Sequence, residues 1–201
     1  MQKNSLVPGN FKGKAVDLEE SVTAATFKDA EKIYRRACDR LQHPGIWHEL
    51  AGDSGAVFTL KNERNTEVKK PVAVNDFIQV DIPAPGPAAG DGHDWVKVEK
   101  TDHDFDSDAD QSFGLTVKVT THPSTPGEEI AHFFGSEASS TWIVKRKGNT
   151  VTASYHGRNE TPNTESEGLG DKVRNTIVAI GAMAGISALQ WTALLKGLLR
   201  E

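Results

Sequence analysis

Three groups of residues in this chain have types and spacings that chemistry could use. The first is an acidic run. Asp102, Asp104, Asp106, Asp108 and Asp110 alternate through TDHDFDSDADQS, and Asp91, Asp94 and Glu99 precede them, against only Lys97 and Lys100. Carboxylates two residues apart are how calcium loops begin, because successive side chains can turn onto one hard cation. Counted from Asp104, the position that needs glycine is Ala109 and the closing acid is Leu115. The run over 101–112 therefore reads as a solvated acidic loop.

Histidine offers a second route. His93 and His103 flank a strand at Trp95, each beside aspartates. Meeting across a sheet end with Asp102, Asp104 or Asp106, they would hold zinc or another divalent metal with a position left open for substrate. No short ligand spacing such as H-E-x-x-H backs the pair. The third group is His156-Gly157-Arg158-Asn159-Glu160, where a strand runs out. Arg158 would clamp an anion there, with His156 and Glu160 as an acid–base pair. The plainer reading is a structural ion pair between Arg158 and Glu160. The sequence holds no serine nucleophile elbow and no phosphate-binding glycine loop, and Gly52-Asp53-Ser54-Gly55 lacks the strand-to-helix setting.

The composition narrows the partners. The chain has 201 residues, 37% hydrophobic and 25% charged, a net charge of −5 and a pI near 5.8. That balance suits a folded globular chain and gives no reason to expect nucleic acid. Cys38 is the only cysteine, so an intrachain disulfide and a multi-cysteine zinc site are both excluded. Its place in an amphipathic pattern makes it a small core residue rather than a nucleophile. MQKNSLVPGNFKGK lacks the apolar run of a secretory signal, so the expected location is cytoplasmic.

The elements that must position these residues are best marked by TWIVKRKGNTVTASYH, residues 141–156. Two strands closed by Gly148-Asn149 set Lys147 opposite Thr150, Val144 opposite Ala153 and Trp142 opposite Tyr155. Trp142, Val144, Val151, Ala153 and Tyr155 then share a dry face, and Thr141, Lys145, Thr152, Ser154 and His156 a wet one, with Ile143 its only large apolar residue. Other strands are expected at 56–61, 72–82, 95–98 and 113–119, with a projecting loop PAPGPAAGDGHD at 83–94; residues 128–134 fit either a strand or a helical turn. Phe27, Ala30, Tyr34, Ala37, Cys38 and Leu41 form a helical stripe capped by Thr26 and stopped by Pro44-Gly45. One more turn carries Trp47 inward. Residues 1–24 read as an extended N-terminal arm, with room in it for a short strand.

The stretch 175–195 carries no charge, and Gly181 and Gly185 have the spacing of membrane helix pairs, so a C-terminal membrane anchor has to be weighed. Ser187, Gln190 and Thr192 argue instead for two helices packed on protein, about 171–184 and 188–199. The expectation is an α+β domain over 25–201: helices over 25–51, a curved antiparallel sheet of about six strands over 56–158, and apolar C-terminal helices over 171–199 on its dry face. The order is helix-grip-like or barrel-like. The function expected is non-enzymatic, without a cofactor: binding of a small ligand, or interaction with a protein partner in a larger assembly. The alternatives are a metal-assisted hydrolase built on His93, His103 and the acidic run, and a membrane-anchored cytoplasmic domain.

Overall fold

The computed structural model describes residues 6–52, 55–82, 92–105, 110–125, 134–161 and 188–201. The elements are β1 (Lys14–Thr23), α1 (Phe27–Leu41), a 3-10 turn (Pro44–Ile46), α2 (Trp47–Ala51), β2 (Val57–Lys61), β3 (Phe77–Asp81), β4 (Asp94–Phe105), β5 (Asp110–Val119), β6 (Ser139–Lys147) and β7 (Thr150–Glu160). A last helix, α3, covers 188–199. The seven strands form one antiparallel sheet in the order β1-β7-β6-β5-β4-β3-β2. The helical segment α1–α2 leads from one edge strand, β1, to the other, β2.

The β6–β7 hairpin has the register its alternation predicts, including Trp142 opposite Tyr155 and Lys147 opposite Thr150. Trp142, Val144, Val151, Ala153 and Tyr155 are all buried on the inner face. Trp142 gathers an aromatic cluster there, with ring centroids 5.0 Å from Trp47, 5.4 Å from Tyr155 and 5.1 Å from Trp191. Trp191 belongs to α3, stacks on Tyr155 and also meets Phe58 of β2. Leu194, Leu195, Leu198 and Leu199 complete the buried stripe of α3. A terminal helix lying on the inner face of an antiparallel sheet is the relation that a helix-grip describes.

The two ends of the chain's helical content are tied by charge. Thr26 caps α1 by accepting from the Asp29 amide at 3.1 Å, as its sequence predicts. From the other end of α1, Arg40 donates to the carbonyls of Gly197, Leu198 and Arg200. A cation is favoured at those otherwise unpaired carbonyls of the α3 C-terminus.

Several expectations are corrected. The stretch expected as an arm contains β1, a ten-residue strand that pairs with β7 from Lys14–Glu160 to Thr23–Thr150. Among the described residues the sheet thus has seven strands, and the first precedes α1. Before β1, residues 6–13 run along the outer face from β5 to the end of β7. Thr116 donates to the Leu6 carbonyl, and Asn159 Oδ1 accepts from the amides of Phe11 and Lys12. The strand expected over 72–82 begins only at Phe77, because Asp76 turns back to take the Ala73 amide and Lys70. Val72 stays buried, but Val74 is 47% exposed. Most of the acidic run is not a loop: β4 extends to Phe105 and β5 begins at Asp110. The expected helix over 171–184, the loop over 83–91 and residues 128–133 lie outside the described residues. Among the described residues, no helix is long and apolar enough to cross a membrane. Residues 188–195 of the uncharged stretch belong to α3.

Candidate functional site

An open groove lies between the helical segment and the edge of the sheet. A groove of about 490 Å³ runs between the 3-10 turn, β2 and the segment 67–70. Ile46, Phe58 and Val68 give it an apolar floor, and His43, Glu67, Lys69 and Lys70 stand around it. Local chemistry explains its walls. Pro44 lacks the amide an α-helix would need, so the chain leaves α1 through a tight 3-10 turn. On the other side, Asn62 Oδ1 accepts from the amides of Arg64 and Thr66, closing a turn that brings Val68 back to the Leu60 carbonyl. Phe58 connects the floor to the aromatic cluster through Trp47, 5.2 Å between ring centroids. Lys70 is engaged by Asp76, and His43 Nδ1 lies 2.7 Å from the Asp39 carbonyl.

The strand-end group splits between the two faces of the sheet. Along β7, His156 and Arg158 point outward, and both reach Asp17 of β1: His156 Nδ1 at 2.5 Å and Arg158 Nη2 at 2.7 Å. Arg158 also donates to the carbonyls of Val16 and Gly157. The Arg158 hydrogen bond, and after it that of His156, holds the Asp17 carboxyl below its ordinary value. Glu160 turns the other way. Asn159 adopts φ 56°, which breaks the alternation and folds the Glu160 side chain back beneath Gly157. A Cβ at 157 would overlap that carboxylate, so glycine leaves the room in which Glu160 lies. Tyr155 then donates to Glu160 Oε1 at 3.4 Å and lies 3.1 Å from Ser140 Oγ. A recess of about 20 Å³, room for roughly one water, adjoins them between Val96, Val117, Val119 and Ala138. Burial pushes the Glu160 carboxyl up, and it pushes the Tyr155 hydroxyl up as well.

This arrangement corrects two expectations. His156 and Glu160 do not form an acid–base pair, because they sit on opposite faces. Arg158 is bound by Asp17 in place of Glu160. Asp17 comes to this site only because residues 14–23 form β1 and pair with β7, which the sequence pattern of the N-terminal stretch does not announce.

The metal candidates also separate. His93 meets Asp81 just before β4, whereas His103 lies near the other end of that strand. Ten residues of extended chain hold them about 30 Å apart. His103 stands opposite Phe113 on the inner face, its ring centroid 4.5 Å away. Asp102 and Asp104 stand opposite Gly114 and Ser112, on the other face, and Asp106 lies outside the described residues. Among the described residues no three His, Cys, Asp or Glu side chains gather as a metal site would require. Cys38 is buried, and that burial raises its thiol to about 12, far from a thiolate nucleophile.

No family model matches this chain, and no curated protein matches it. Among solved structures it is similar to a norcoclaurine synthase point mutant from Thalictrum flavum in complex with a transition state analogue. The identity is 11% over 92% of this chain and 95% of that one, with a TM-score of 0.41. It is similar also to protein Ms6760 from Mycobacterium smegmatis, at 14% identity over 92% and 90% and a TM-score of 0.39. A third likeness is to Ara h 8.0201, at 11% identity over 90% and 99% and a TM-score of 0.36. Superpositions this loose carry no function over to this chain.

Proposed function

We propose that the protein binds a small molecule with an apolar body and an acidic group in the groove between the 3-10 turn and β2. The observation that carries this reading is the groove's size and lining: about 490 Å³, with an apolar floor and a few polar groups around it. Small-molecule sites have volumes of roughly 300–1,000 Å³ and this division of labour. Ile46, Phe58 and Val68 would cover the apolar body, and Lys69 would meet the acid.

A second reading has one observation behind it. The groove follows β2, an edge of the sheet, and beyond the Lys61–Glu67 bridge that edge continues as Val57–Thr59. An extended peptide of a protein partner would add a strand there. Titration with 8-anilinonaphthalene-1-sulfonate, an apolar anion, separates the readings. A small-molecule site gives saturable 1:1 fluorescence enhancement that Thr59→Trp abolishes by filling the groove and Lys69→Glu weakens at least tenfold. Enhancement that Thr59→Trp leaves unchanged would remove the groove as the site.

A further inference from the structure

The outer face of β1 and β7 carries a row of three side chains that neither the groove nor the inner recess uses. Ser154 and His156 are two apart on β7 and therefore share a face. Asp17 is directly opposite His156 in the β1–β7 register. Ser154 Oγ lies 3.0 Å from His156 Nε2, and His156 Nδ1 lies 2.5 Å from Asp17 Oδ1. The network assigns the tautomer: an ionised Asp17 can only accept, so Nδ1 carries the hydrogen and Nε2 presents its lone pair to the serine hydroxyl. A nucleophile on a base, with the base oriented by a third group, is the arrangement of an activated serine.

We propose that Ser154 is a reactive nucleophile that accepts an acyl group from small activated esters, with His156 as its general base and Asp17 as the positioning residue. Ser154 Oγ bonds to the ester carbonyl carbon while its proton passes to His156 Nε2. Collapse of the tetrahedral adduct breaks the carbon–oxygen bond to the leaving alcohol or phenol, which takes the proton from His156. The serine is left acylated, and water attacking by the same route releases the acid.

Two features define the substrate class. Ser154 is only 8% exposed, which admits small acyl groups rather than chains. It also lies mid-strand, paired with Glu19 on one side and Ile143 on the other, so its backbone amides serve the ladders rather than an oxyanion. Losing one oxyanion donor costs about 10²–10³ in rate, so good leaving groups are required and deacylation is slow. The charged groups facing the base are Asp17, Glu19 and Arg158.

The test is the full chain with p-nitrophenyl acetate, following phenolate release and mapping the acetyl group by mass spectrometry. The expected result is a burst of about one phenolate per chain, with the acetyl group on Ser154. Ser154→Ala removes the burst, and His156→Gln slows acylation by about 10²–10⁴ and abolishes its pH dependence. Asp17→Asn slows acylation at least tenfold, and Asp17→Glu restores part of it. Ser21→Ala, which alters a hydroxyl pair with Thr152 on the same face, leaves the burst intact. Acetyl on His156 or on a lysine in the wild-type protein would overturn the assignment, as would a burst that persists in Ser154→Ala. A fluorophosphonate probe gives a second reading independent of folding in the variants: wild-type label on any residue but Ser154 also overturns it.

Discussion

On the inner side of β7, Tyr155 and Glu160 stand where burial pushes both groups toward their neutral forms. On the outer side, a residue or two away, His156 and Arg158 hold Asp17 in its charged form. One strand thus supplies both environments: alternation separates Tyr155 from His156 and Arg158, and the turn at Asn159 brings Glu160 to the inner side. The inner face derives its order from packed aromatic rings, the outer from hydroxyl pairs and an ion clamp beside water. The difference teaches which side holds the fold. Aromatic burial is worth several kcal/mol per side chain, whereas exposed ion pairs contribute roughly 0–1 kcal/mol.

Mutation can break that comparison, and the largest effect is expected at its centre. Trp142→Ala should destabilise the protein by about 3–5 kcal/mol in denaturant unfolding, since it empties the middle of the ring cluster. A loss below about 0.5 kcal/mol, the range of ordinary surface changes, would mean that the inner face is not the core. Gly157→Ala should come next, at about 0.5–1.5 kcal/mol, because the new methyl displaces the end of the Glu160 side chain and its hydrogen bond with Tyr155. Its partner control is the same change on a Glu160→Ala background, where it should cost little.

The remaining two variants sharpen the contrast by having opposite signs. Burial raises the Glu160 carboxyl above 4.5 in the folded protein, so its contribution is greatest below that value and fades as pH rises through the raised one. Glu160→Gln should therefore raise the melting temperature at pH 7 by about 1–2 °C and leave it nearly unchanged at pH 4. Asp17 is lowered below 3.8, so its contribution is complete above that value and is lost as pH falls through the lowered one. Asp17→Asn should cost less than about 1 kcal/mol at pH 7, because the carboxylate is 58% exposed, and nothing near pH 2. Melting curves against pH for the two variants should slope in opposite directions; parallel curves would erase the distinction between the faces.

What could be read in advance follows the same division. The β6–β7 hairpin was legible because its apolar residues alternate, with Ile143 the one large exception, and because its turn announces itself. β1 was not, because Glu20 occupies an inward position, where α3 meets it through Lys196 at 3.5 Å. An inward acid hides the period. Asp102 and Asp104 disguised the end of β4 in a similar way: aspartate disfavours strands, but the partner positions in β5 include Phe113 and Leu115, which the core holds in place. Both the groove and the Ser154–His156–Asp17 row needed the fold itself. The groove depends on how three neighbouring segments pack, and a Ser-x-His spacing says nothing until a carboxylate arrives from a strand far away in the chain.

That remote pairing has a consequence for how the protein is made. Thr23 and its partner Thr150 are 127 residues apart. At about 5–20 residues per second, β1 emerges from a ribosome about 6–25 s before the strand it needs. Throughout that interval it has no sheet to join, yet Val16, Leu18 and Val22 already make it a half-apolar strand. Asp17, Glu19 and Glu20 intervene between those residues, and like charges keep neighbouring nascent copies from pairing along the same edge. The acid that later orients a histidine thus has an earlier duty, as a gatekeeper during synthesis.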